Sequence, residues 1–146
     1  MKIKALGHVV LQVTDRQRAE HFYGDFIGFP LCGRFDENGM KMAFFTLGNH
    51  HDFAVMEVTG EGGAASDTAA GLDHVAFNIG TTIEELREAK QKLDEAGISI
   101  RPVDHEVTKL LYFQDPDGNG VELYVDASEV WRQDPQRVAQ GAALEL

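Results

Sequence analysis

The chain is written twice. Gly7-His8-Val9-Val10-Leu11-Gln12-Val13 reads against Asp73-His74-Val75-Ala76-Phe77-Asn78-Ile79. Both segments alternate with period two, the mark of a strand with unlike faces. One face carries His8, Val10 and Gln12, or His74, Ala76 and Asn78. The other carries Val9, Leu11 and Val13, or Val75, Phe77 and Ile79. The second face is wholly apolar and suits a core beneath helices. The first is smaller and more polar and suits a wet concavity. A duplicated opening strand restricts the fold to two copies of one module.

Each opening strand is followed by a helical pattern. In the first copy Ala19, Phe22, Tyr23, Phe26 and Ile27 recur at helical spacing and Gly28 can close the helix. In the second, Thr82 and Glu85 have the spacing of a capping box. There Ile83, Leu86, Ala89, Leu93 and Ala96 form the apolar stripe, which Gly97 ends. Strand-like runs come next: 41–47 and 53–58 in the first half, then 99–103, 110–114 and 121–125 in the second. A near-constant offset relates His8 to His74, Gly28 to Gly97 and Phe44 to Tyr112. The small drift belongs in loops, where insertions cost little. These features divide the chain into module one (1–58), a Gly-, Ala-, Ser- and Thr-rich linker (59–70) and module two (71–126), together one domain. Residues 127–146 form a tail that carries Trp131 and Val138 and is expected to pack on something. Asp115-Pro116-Asp117-Gly118-Asn119-Gly120 reads as a tight turn.

The duplication bears on chemistry. A lone strand histidine is ordinarily structural. Two at the same register of duplicated strands point into one cleft if the halves pair about a pseudo-twofold axis; inheritance as a core residue is the alternative. Glu122 lies in Val121-Glu122-Leu123-Tyr124-Val125, among apolar neighbours. A carboxylate turned to a sheet's interior needs a partner, because burying it unpaired is costly. A cation supplies one; a solvated face is the other reading. The same offset sets Ala54 at the matching place in the first half, so one carboxylate and two imidazoles are expected. His8, His74 and Glu122 would hold a divalent metal and leave positions open, the facial triad of non-haem Fe(II) oxygenases. His51 lies on the approach to the site. His50 beside it points elsewhere if the segment is extended. Tyr112 lies on the neighbouring strand of the Glu122 hairpin, and His105 in the loop that feeds it. Together these three are acid–base equipment around an open metal.

The net charge of −11 disfavours nucleic acid as a partner. No apolar run reaches the roughly 20 residues of a membrane-spanning helix. The N-terminus shows no signal-peptide pattern and Cys32 is the only cysteine, so a cytoplasmic location is expected.

Three segments carry a resemblance: 71–77, Asn49-His50-His51-Asp52-Phe53-Ala54, and 112–124. Through them the chain resembles the vicinal oxygen chelate superfamily, and within it the type I extradiol ring-cleaving dioxygenases. The resemblance implies an α+β fold, two tandem βαβββ modules forming a partly open mixed barrel with helices outside. It implies Fe(II), with Mn(II) or another divalent ion as the alternative, on His8, His74 and Glu122. His51 then matches an acid–base histidine, Tyr112 a hydrogen-bond donor to the catechol oxygen, and His105 a histidine near the substrate oxygens. A small-molecule diol, O2 and a second copy of the chain are the implied partners. A thiol transferase of the fosfomycin-resistance kind, a glyoxalase-like lyase or isomerase, and a non-catalytic binding protein share the fold. The first wants basic residues for a phosphonate, the second a fourth ligand where Ala54 stands, and the third has no use for the triad.

Overall fold

The computed structural model describes residues 2–60 and 70–146; most of the expected linker lies outside them. The chain divides into two compact units, Met1–Ser66 with Pro116–Gly118, and Asp67–Asp115 with Asn119–Leu146. Each contains one open mixed sheet, which makes the class α+β.

In the first unit β1 (Val9–Val13) leads to a helix, α1 (Arg16–Glu20), which widens to π-helical geometry over His21–Ile27. Strands β2 (Leu31–Glu37), β3 (Met40–Phe45) and β4 (Phe53–Glu57) follow. Their order is β1-β4-β3-β2, with β1 parallel to β4 and the other pairs antiparallel. Asp15 caps α1 by accepting from the Arg18 amide. Gly28 ends the π-helical segment at φ 103°, a left-handed conformation that a Cβ would penalise. The alternation of β1 is as expected, with Leu11 and Val13 buried and Val10 and Gln12 exposed. The core is aromatic: Tyr23 packs on Phe53 at 4.6 Å between centroids, and Phe45 and Phe29 lie 5.8 and 5.7 Å from Phe53. The wide helical turn brings the adjacent Phe22 and Tyr23 both into the buried set.

In the second unit β5 (Val75–Gly80), α2 (Ile83–Glu95), β6 (Arg101–Asp104), β7 (Thr108–Gln114) and β8 (Gly120–Asp126) repeat the pattern. The order is β5-β8-β7-β6-β9, with β5 parallel to β8. The capping box of Thr82 and Glu85 is present, and Leu86 and Leu93 are the buried residues of α2. This core is mostly aliphatic, with Leu110, Leu111, Val121 and Val125 buried on the sheet beside Phe113. Each such residue contributes about 1.5–3 kcal/mol through burial. After β8 the tail returns to the sheet: β9 (Ala142–Ala143) pairs antiparallel with β6.

The internal registers of the two sheets coincide. Val10 lies opposite Ala54 across β1 and β4, and Ala76 lies opposite Glu122 across β5 and β8. Ala54 and Glu122 are therefore equivalent places in the two sheets, and His8 and His74 each stand one residue before the opening strand. Strand β2 has no counterpart in the sequence expectation. It is an edge strand, largely exposed on both faces and bulged between Leu31 and Gly33, so it needs no apolar alternation. No helix among the described residues is long and apolar enough to cross a membrane.

Candidate metal centre and its surroundings

Glu122 and Asp115 are the buried charged residues of the described chain. Asp115 is absorbed by the turn, where it accepts from the Asn119 amide at 2.8 Å. Glu122 has no such backbone duty. Its 7% exposure disposes of the solvated-face reading and leaves a carboxylate that must be paired. Two groups face it. Tyr112 is its directly opposed neighbour on β7 and hydrogen-bonds it through the phenol. Burial, and then that bond and the charge of Glu122, push the Tyr112 hydroxyl up to about 12. Tyr112 is therefore a proton donor throughout the neutral range. The other group is His74, whose Nε2 lies 3.1 Å from a Glu122 oxygen.

The other face of His74 is occupied. Nδ1 lies 2.6 Å from Asp73 Oδ2, so Nδ1 carries a proton that the carboxylate accepts, and Nε2 is the nitrogen that faces Glu122. A lone pair and a carboxylate oxygen at 3.1 Å need a cation between them, either a proton or a metal. Two adjacent ligands on a divalent ion, each at about 2.1 Å, lie about 3 Å apart. The donors thus fit two neighbouring positions of a metal site.

The strand turn holds this geometry through Gly120. A Cβ there would collide with the Asp73 carbonyl oxygen and lie 3.1 Å from the His74 Cβ. The β8 backbone has to pass under residues 73 and 74 bare. Gly120→Ala is expected to cost about 1–3 kcal/mol of stability, as overpacking does. It should also weaken divalent-metal binding, because the clash moves His74 relative to Glu122. Thermal unfolding and metal titration of the same preparation check both effects.

In the first unit three imidazoles cluster. His51 lies 4.2 Å from His8 and 4.6 Å from His50 between centroids, and the His50 and His51 Nδ1 atoms approach to 2.8 Å. The segment bends instead of extending, so His50 faces its neighbour and does not point elsewhere. Phe44 meets the His51 ring edge to face, 5.4 Å between centroids. Desolvation, then the nearby His8 and His50, hold His51 below the ordinary imidazole value, with Asp52 opposing. These surroundings favour the neutral form of the ring.

Among the six residues singled out, the structure brings together His74, Glu122 and Tyr112 in the second unit and His8 with His51 in the first. No three His, Cys, Asp or Glu side chains among the described residues are arranged to hold a metal. His105 is elsewhere. It follows β6 at the hairpin end beyond the Asp104–Lys109 rung, and its Nδ1 bonds the Gln140 carbonyl of the tail. Asp73, Gly120 and Arg101 were not legible as parts of the site. Asp73 adjoins His74 in the sequence, but an exposed aspartate before a strand is commonplace. Arg101 reaches Tyr112 only through the β6–β7 register.

Residues 5–123 match the family model described as Glyoxalase/Bleomycin resistance protein/Dioxygenase superfamily. The chain is 37% identical over 124 residues to biphenyl-2,3-diol 1,2-dioxygenase 3 of Rhodococcus globerulus, covering 83% of this chain and 63% of that one. It is 30% identical over 131 residues to the catechol-2,3-dioxygenase of Bacillus subtilis, covering 88% of this chain and 44% of the relative. The chain thus spans about half the length of these dioxygenases. It is also 30% identical to the lactoylglutathione lyase of Salmonella typhimurium, covering 87% of this chain and 96% of the lyase. The fosfomycin resistance protein FosX of Listeria monocytogenes, solved in complex with Mn(II) and sulfate, has the same fold. Its TM-score is 0.66 at 21% identity, over 91% of this chain and 100% of that one.

Proposed function

The chain belongs to the glyoxalase/bleomycin resistance protein/dioxygenase superfamily, and from that premise we propose that it is an extradiol ring-cleaving dioxygenase acting on a catechol-type diol with O2. The observation that supports this reading best is His51, an imidazole packed on His8 at 4.2 Å and held below its ordinary pKa by desolvation first. A thiol transferase on this scaffold gives such a group no evident role. In this proposal His8, His74 and Glu122 hold the metal, with Fe(II) assigned and Mn(II) the alternative. Bound there, the metal would supply the redox chemistry between diol and O2.

The residues of the chain do the rest. Asp73 holds His74 in the ligating tautomer. Tyr112, protonated at neutral pH, donates to a substrate oxygen in place of Glu122 and steadies the diol in one orientation. His51 takes and returns a proton at the substrate oxygens. His105, bonded through Nδ1 to the Gln140 carbonyl at the end of the β6–β7 hairpin away from Tyr112, has no part in this proposal. A cytoplasmic homodimer is the proposed setting.

Lyase activity is the second reading, favoured by the near-complete coverage of the lactoylglutathione lyase. Against it stands Ala54, fully buried at the place equivalent to Glu122, where a fourth ligand would be wanted. Protein purified without air, loaded with Fe(II) and given a panel of catechols should consume O2 in step with the appearance of a ring-opened product. Iron-replete protein that leaves every diol intact and turns over a glutathione hemithioacetal would establish the lyase in its place.

A further inference from the structure

The guanidinium of Arg101 lies over the Tyr112 ring, 4.5 Å from its centroid. Arg101 opposes Tyr112 across β6 and β7, and Tyr112 opposes Glu122 across β7 and β8. Directly opposed residues share a sheet face. Arg101, Tyr112 and Glu122 thus form a row on one face, with His74 at its Glu122 end. The row spans two strand spacings, about 10 Å.

What sets Arg101 apart is its lack of a carboxylate. Arg16, Arg18, Arg34, Arg87, Arg132 and Arg137 are each ion-paired. Arg101 has no ion pair among the described residues, in a chain with 24 acidic residues. Its side chain is exposed, and the aromatic face beneath it fixes where the guanidinium sits. A planar cation with free donors, held beside the row of Tyr112, Glu122 and His74, is suited to receive an anion. The negative field of the whole chain makes an unpaired arginine there the place where a small anion is held against general repulsion.

We infer that Arg101 recognises an anionic substituent on the substrate, so that the preferred diol carries a carboxylate or similar group on the ring side away from its two hydroxyls. This rests on the diol reading for the metal-proximal end of the substrate. Tyr112 serves both ends: its hydroxyl faces the oxygens and its ring carries the receptor.

The test compares 3,4-dihydroxyphenylacetate with 4-methylcatechol, bound without air to the Mn(II)-loaded protein and followed by calorimetry. The wild-type protein should bind the anionic diol at least about tenfold more tightly, the scale of a charge-assisted hydrogen bond. Arg101→Gln should remove that preference, and Arg101→Lys should keep part of it. Equal affinities in the wild-type protein, or a preference that survives Arg101→Gln, would overturn the assignment while leaving the diol reading in place. If neither diol binds, the diol reading falls, and the receptor is then measured with phenylacetate against benzyl alcohol. A preference for phenylacetate that depends on Arg101 sustains the receptor, and its absence removes it.

Discussion

Glu122→Gln is expected to leave a folded protein that has lost divalent-metal binding by about 100-fold or more, and with it all turnover. Losing a group that only orients a ligand costs about 10–100-fold in affinity, so losing the ligand itself costs at least the upper figure. The amide keeps the shape and still accepts from Tyr112, so the fold survives; only the charge facing His74 Nε2 is gone. Removing the buried carboxylate charge should even make the metal-free protein more stable, because the penalty of holding it out of water disappears. His8→Ala should likewise abolish tight binding, since two ligands rarely retain such a metal. Metal content after dialysis, with the unfolding midpoint of each apo-protein alongside, reads both effects. A Glu122→Gln protein with full occupancy would remove Glu122 from the metal, and a fully occupied His8→Ala protein would remove His8.

The second large effect concerns His51. His51→Ala should retain the metal and bind diols, yet lose about 10²–10⁴-fold in turnover, the usual worth of a positioned acid–base group. His50→Ala should produce a smaller loss. The two rings meet through their Nδ1 atoms at 2.8 Å, so His50 steadies the tautomer of His51 without replacing it. Steady-state rates at matched iron content separate the two. A fast, iron-replete His51→Ala enzyme would withdraw the residue that best supports oxygen chemistry and leave a generic metal site.

The sequence by itself determined the plan of the molecule. Period-two alternation in 8–13 and 74–79 is a local property of extended chain with one buried face, and it survives as β1 and β5. The Thr82–Glu85 box, the closing Gly28 and the turn before Gly120 are equally local, since each satisfies backbone groups within a few residues. Duplication reached further than periodicity can. It set Ala54 against Glu122, and the registers of the two sheets agree. Tertiary structure alone decided the neighbours. The widened turn of the first helix sets Tyr23 on Phe53, far away in sequence. Edge strand β2 escaped notice because a strand exposed on both faces needs no apolar pattern. His105 was bound by a carbonyl of the tail, and Arg101 was laid over Tyr112, through registers that no local pattern encodes. Spacing along the chain names which residues can do chemistry. Which of them meet depends on strand pairing and on the direction of each side chain, and those are settled only when the sheets form.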